Sequence, residues 1–193
     1  MSDSSILDRL DRASAAVADQ LDAVGRLDPG RWTAPTPCTE WTVRDLAGHL
    51  VGIDLRLIAM FGEGSPPERG VDHLGADPAG AYRRSAATLR AAAALPGALE
   101  RSEATPIGVA TGAERLQWRV ADLIVHSWDL AQATGVRADL PDGPVEQALG
   151  FVRTGMAGQD RGGRFGDPQP IGDDAPVLDR LAAFTGRPVP WRP

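Results

Sequence analysis

The chain has 193 residues, enough for one domain with a full hydrophobic core. Its 20 basic residues are all arginine against 26 acidic ones; the net charge of −6 and pI near 5.0 argue against nucleic acid or an anionic membrane as the main partner. One cysteine, Cys38, rules out an intramolecular disulfide framework and a Cys-rich zinc site, while the absence of lysine removes Schiff-base chemistry and a Walker-type phosphate loop. The N-terminus, MSDSSILDRLDRASAAVADQL, is amphipathic with four aspartates in its first 19 residues, unlike a signal peptide. No apolar run approaches membrane-spanning length, so a soluble, cytoplasmic protein is expected.

In chain order the pattern is helical. Ile6, Leu7, Leu10, Ala13, Val17, Leu21 and Val24 recur at three- and four-residue spacing and predict a first helix that the GRLDPGRW turn stops. ATPCTEW follows as a loop. Thr42 with Asp45 three residues on forms a capping-box pattern that opens a second helix over about 42–62. Residues 62–78, rich in Gly, Pro and charge, read as a long connection. An alanine-rich third helix ends at Pro96. RSEATPIGVATG leaves room for a short extended piece before a fourth helix over about 113–134, closed by Gly135. Asp142 with Pro144, and Asp174 with Pro176, are expected to start two short helices. The glycines of GQDRGGRFGDP (158–168) follow no strand and open no helix, so they read as a mobile loop and not a dinucleotide fingerprint. No G-x-S-x-G nucleophile elbow occurs. The expected fold is a single all-α domain over 1–193, a four-helix bundle with additional short C-terminal helices.

Asp122 and His126, four apart, share one face of the fourth helix. Leu116, Val120, Leu123, Ile124 and Leu130 surround them, so part of that face is buried and the carboxylate needs a partner. His49, flanked by Leu46, Leu50 and Ile53, is likewise poised to face inward. From spacing alone two readings stand. One is a site of two histidines and one carboxylate that holds a divalent metal with positions left open. The other is an Asp–His hydrogen bond that ties helices together.

The motifs TPCTEWTVRDLAGHLVG (36–52), VADLIVHSWDLAQATG (120–135) and APVLDRLAAFTGRPVPW (175–191) resemble the actinobacterial metal-binding proteins related to the N-terminal domain of mycothiol-dependent maleylpyruvate isomerase. Those proteins belong to the DinB/YfiT-like superfamily of four-helix bundles, and the resemblance spans nearly the whole chain. It implies that His49, Asp122 and His126 bind a divalent metal, zinc first, with nickel, manganese or iron as alternatives. The isomerase has Glu where this chain has Asp122, whose carboxylate reaches about one methylene less far. The isomerase also has a further C-terminal domain that helps form its active site, and no counterpart of it is expected here.

Arg119 and Arg56 are expected to orient an anionic substrate or the acidic part of a thiol cofactor, since guanidinium grips carboxylate with two prongs. The alternative is solvated arginines, or ion pairs with Glu114 or Asp54. Asp129, three residues after His126, is either a hydrogen-bond acceptor behind a ligating histidine or a helix-end packing residue. Trp32 and Trp41 read as anchors of the TPC loop, Cys38 as a buried structural cysteine, His73 as a solvent-exposed loop residue, and Tyr82 has no assigned role. The heavy use of Ala, Gly, Pro and Arg, with neither Lys nor Asn, points to a high-GC genome. With the resemblance, it implies a metal-dependent enzyme that uses a low-molecular-weight thiol, mycothiol first, on a small electrophilic substrate, as S-transferase or thiol-assisted isomerase. A metal-dependent hydrolase and a non-catalytic metal- or ligand-binding accessory protein are the alternatives. Exposed apolar positions on the first helix leave room for a homodimer.

Overall fold

Local chemistry sets the helix ends. A computed structural model describes residues 3–62, 65–68, 70–105, 108–158, 161 and 165–192. Helix α1 (Asp3–Leu27) is followed by a 3₁₀ turn (Pro29–Thr33), in which the Asp28 side chain accepts from Gly30 N. Helix α2 (Val43–Met60) starts on the expected capping box: the Thr42 hydroxyl accepts from Asp45 N while the Asp45 carboxylate accepts from Thr42 N. Helix α3 (Pro78–Ala93) has Asp77 as its cap and Pro78 in the first turn.

The expected extended piece is a hairpin. Strands β1 (Ser102–Thr105) and β2 (Gly108–Thr111) pair antiparallel, from Ser102 opposite Thr111 to Thr105 opposite Gly108; residues 106 and 107 lie outside the described residues. Helix α4 (Gly112–Thr134) then begins with a second capping box, Thr111 with Glu114, and ends at Gly135, whose φ of 74° is a left-handed cap that favours glycine.

Helices α5 (Asp142–Gly155) and α6 (Val177–Phe184) exist as expected but start differently. Pro141 and Pro176 hold the cap positions in extended backbone, with no side-chain cap bond, and Asp142 sits inside the first turn of α5. Of the glycine-rich stretch 158–168, residues 159, 160 and 162–164 lie outside the described residues. Gly166 is in close contact with the Gly186 backbone.

Helices α1 to α4 form the expected bundle, α1 packing on α3 and α4, and α2 on α3 and α4. Helices α5 and α6 pack on each other and on α4, which puts α4 at the centre. Leu10, Val17 and Leu21 of α1, Leu46 and Leu50 of α2, Leu89 of α3, and Leu116, Leu123 and Ile124 of α4 are fully buried together. Each such side chain contributes about 1.5–3 kcal/mol by leaving water. The large apolar side chains exposed among the described residues are Val71, Leu95 and Val109, none of them on α1. No helix is long and apolar enough to cross a membrane among the described residues.

Candidate metal centre

The packing of α2 against α4 brings His49 to the Asp122 and His126 face. His126 Nε2 lies 3.2 Å and His49 Nε2 3.6 Å from the same oxygen, Asp122 Oδ1. The two imidazole centroids are 5.0 Å apart, and the three donor atoms lie within 4.8 Å of one another. At 3.6 Å the His49–Asp122 approach is too long for a hydrogen bond, and His49 Nε2 is buried without a hydrogen-bond partner. A buried nitrogen left unsatisfied beside a shared carboxylate oxygen is what a three-donor cation site presents before its ion arrives. These residues therefore fit a divalent metal.

The other carboxylate oxygen is already engaged. Arg119 Nη1 donates to Asp122 Oδ2 at 2.7 Å, which turns Oδ1 toward the histidines. Arg119 is itself fully enclosed: Nε donates to Asp54 Oδ1 at 3.0 Å and Nη2 to Leu50 O at 2.9 Å. Asp54 also accepts from Ser85 Oγ at 2.7 Å. Burial raises the Asp54 carboxyl against the opposing pull of Arg119 and Ser85.

Burial also pushes the His49 ring below the usual imidazole value, which keeps it neutral and able to ligate at neutral pH. Burial acts against the charged forms of both Asp122 and His126. Their mutual attraction, helped by hydrogen bonds and by Arg119, outweighs it, holding Asp122 well below the carboxylate range and His126 well above the imidazole range. A cation binding here would displace the His126 proton.

Behind His126 the arrangement is closed. His126 Nδ1 meets Asp129 Oδ2 at 2.8 Å, and because a carboxylate only accepts, Nδ1 carries the proton and Nε2 the lone pair when the ring is neutral. Arg187 grips Asp129 with Nε to Oδ1 at 3.1 Å and Nη2 to Oδ2 at 2.8 Å. Burial works to raise Asp129, but the His126 hydrogen bond and Arg187 bring its carboxyl down to about 2. Cys38 Sγ completes the cluster, 3.2 Å from Asp129 Oδ2, 3.5 Å from Arg187 Nη2 and 3.8 Å from His126 Nδ1.

Several expectations change here. Cys38 is half-buried and packs against the core, and its thiol also donates to Asp129 Oδ2. Arg119 does not face an open space where substrate could bind; its donors hold Asp54, Asp122 and Leu50 O, the ion-pair alternative. Arg56 is exposed and does not line the cleft described below. His73 is half-buried, with its Nε2 enclosed, and is not fully exposed. Trp41 is more than a loop anchor: its ring lies 4.8 Å from His49 and 6.4 Å from His126. Trp128 Nε1 donates to Asp179 Oδ1 at 2.7 Å and ties α4 to α6.

Trp41 and His49 also line an open cleft of about 730 Å³, together with Glu40, Arg44, Gly70 and Asp72. Arg44 pairs with Asp72 at 2.7 Å on its rim. Glu40 has a left-handed φ of 68°, uncommon for a residue with a side chain, at the turn that delivers Trp41. The chain thus brings an open cleft to one of the three donors.

Known proteins resemble this chain at the level of sequence. The family described as the mycothiol maleylpyruvate isomerase N-terminal domain matches residues 10–131, which include all three donors. Two uncharacterised proteins, from two strains of Mycobacterium tuberculosis, are each 35% identical over 157 residues, covering 80% of this chain and 84% of their own length. No solved structure matches the chain. By this match and by the donors and capping box that fall within it, the chain belongs to the family of the mycothiol maleylpyruvate isomerase N-terminal domain.

Proposed function

We propose that this protein is a metal-dependent enzyme that joins a low-molecular-weight thiol, mycothiol by family, to a small electrophile bound in the cleft beside Trp41. The observation that carries the reading is His49 Nε2, buried without a partner 3.6 Å from an Asp122 oxygen that also faces His126. His49, Asp122 and His126 would hold the ion; zinc is taken first because two imidazoles and one carboxylate form a catalytic zinc set, and iron(II) accepts the same donors. The ion, when bound, would supply Lewis acidity that lets a thiol lose its proton near neutral pH.

The chain's own residues prepare that chemistry. Arg119 fixes which Asp122 oxygen faces the donors, Asp129 fixes the His126 ring, and Trp41 shields the histidines from one side. Arg44, freed from Asp72, is the cleft cation placed to meet an anionic substrate; Arg56 has no part in this reading, and Arg119 acts only through Asp122. The thiol gives its proton to water, its sulfur forms a bond to the electrophilic carbon, and the leaving group departs as an anion with the electron pair of the broken bond, leaving a thioether. With a conjugated double bond, addition, bond rotation and elimination would return the thiol and leave the isomer.

The test is turnover by zinc-loaded protein with a conjugated enoate or an alkyl halide, with and without mycothiol, read by mass spectrometry. A thioether or an isomer formed only with thiol supports the proposal. Turnover independent of thiol would make the site a hydrolase centre instead.

A further inference from the structure

The segment after α6 reaches the candidate metal centre at one residue, and its path depends on a glycine. Gly186 has a left-handed φ of 97°, and a Cβ placed there would come within 2.5 Å of Gly166 Cα, so only glycine lets the two backbones touch. Arg161 Nη1 ties the same crossing, donating to Gly166 O at 2.7 Å and to Phe184 O at 2.8 Å. Arg187 N then donates to Ala182 O at 3.0 Å, and its guanidinium lies behind Asp129. Nη1 donates to Thr185 O at 3.1 Å, so every guanidinium nitrogen is engaged. Arg187 lies beyond residue 131, where the family match stops.

We infer that Arg187 is a positioning residue of this centre, which holds the Asp129 carboxylate in the plane that aims His126 Nε2 at Asp122 and His49. The inference rests on the reading of His49, Asp122 and His126 as metal ligands. Two parallel bonds to one carboxylate fix its rotation, which a point charge cannot do. Without that fork, Asp129 has a second partner within reach, Cys38 Sγ at 3.2 Å, and the 2.8 Å bond to His126 loses its anchor. A guanidinium charge also repels an incoming cation, but here a carboxylate stands between it and the ring. The pair is neutral together, so orientation decides the sign.

The experiment is zinc affinity of the full chain by competition with a chromogenic chelator, for wild type, Arg187→Ala, Asp129→Asn and the double variant, with the thermal midpoint of each zinc-free protein as fold control. Arg187→Ala is expected to weaken zinc by about 10- to 100-fold, Asp129→Asn by a similar factor and the double variant no further, because the two act through one path. Millimolar guanidinium, and not sodium chloride at equal ionic strength, is expected to restore part of the affinity to Arg187→Ala. Unchanged or tighter binding in Arg187→Ala, or additive losses in the double variant, would overturn the inference. Should Arg187→Ala fail to fold, Arg187→Lys keeps the charge without the fork and is expected to lose about 10-fold; wild-type affinity there overturns it equally. His49→Ala and Asp122→Ala run in parallel: zinc binding untouched in both refutes the ligand reading itself, whereas loss in both with no effect at Arg187 refutes only the positioning role.

Discussion

His126 divides two regions that differ in how fully their polar atoms are paired. On the Nδ1 side, Asp129 accepts from His126 and Arg187, and all three guanidinium nitrogens of Arg187 have partners. On the Nε2 side, His49 Nε2 is buried with none, next to an open cleft. Native proteins pair nearly all buried polar atoms, so a saturated cluster reads as scaffold and an unsaturated one as a place where something else binds. The contrast distinguishes the two clusters where composition does not, since both contain a histidine and an aspartate that could serve a metal.

Four substitutions can break or sharpen this contrast. Arg119→Met, on the scaffold that orients Asp122, leaves two carboxylates without their shared cation and is expected to cost about 3–5 kcal/mol, measured by urea unfolding of metal-free protein. A loss below about 1 kcal/mol would show that the buried network does not hold the bundle together.

Asp129→Asn comes next. A carboxyl depressed to about 2 when folded stabilises the protein above its unfolded value of roughly 3.9, and that contribution disappears as pH falls from about 4 to about 2. The shift corresponds to about 2–3 kcal/mol at neutral pH, so the variant is expected to lose that much there and to show a flatter acid limb between pH 4 and 2. An unchanged acid limb would place Asp129 outside the saturated cluster.

His49→Leu has the opposite sign. Replacing a buried, unpartnered imidazole by an apolar group removes an unsatisfied atom, so the metal-free variant is expected to be neutral to about 1 kcal/mol more stable than metal-free wild type, and the zinc uptake that the proposed site predicts is expected to be lost. Destabilisation by several kcal/mol would mean that His49 is scaffold after all. Smallest of all, Arg83→Ala removes an exposed ion pair with Asp22 on α1 and is expected to change stability by less than about 1 kcal/mol.

The legible part of this molecule is its local part. Thr42 with Asp45, and Gly135, can be read directly because caps act within one turn, and Thr111 with Glu114 carries the same kind of signal, T-x-x-E. Asp122 and His126 share a face by helix geometry alone. Their meeting with His49 required only that two apolar faces pack together. Arg187 reaches Asp129 across 58 positions and Cys38 across 149, and no periodicity encodes such contacts. The glycine before Arg187 was the available clue, since a left-handed residue at the end of a helix redirects whatever follows it. Arg119 carries two readings in sequence for a related reason: a guanidinium three residues before a carboxylate looks the same whether it faces substrate, solvent or Asp54, and packing selects the Asp54 ion pair.

The most direct test of the central claim is elemental analysis of protein purified without added metal, comparing wild type with His49→Ala and His126→Ala under matched far-UV circular dichroism. The account predicts stoichiometric zinc or another divalent metal in wild type and its loss from both variants with the helical spectrum retained. A wild type that is metal-free and takes up neither zinc, nickel, manganese nor iron, or variants that keep a full complement, would contradict it.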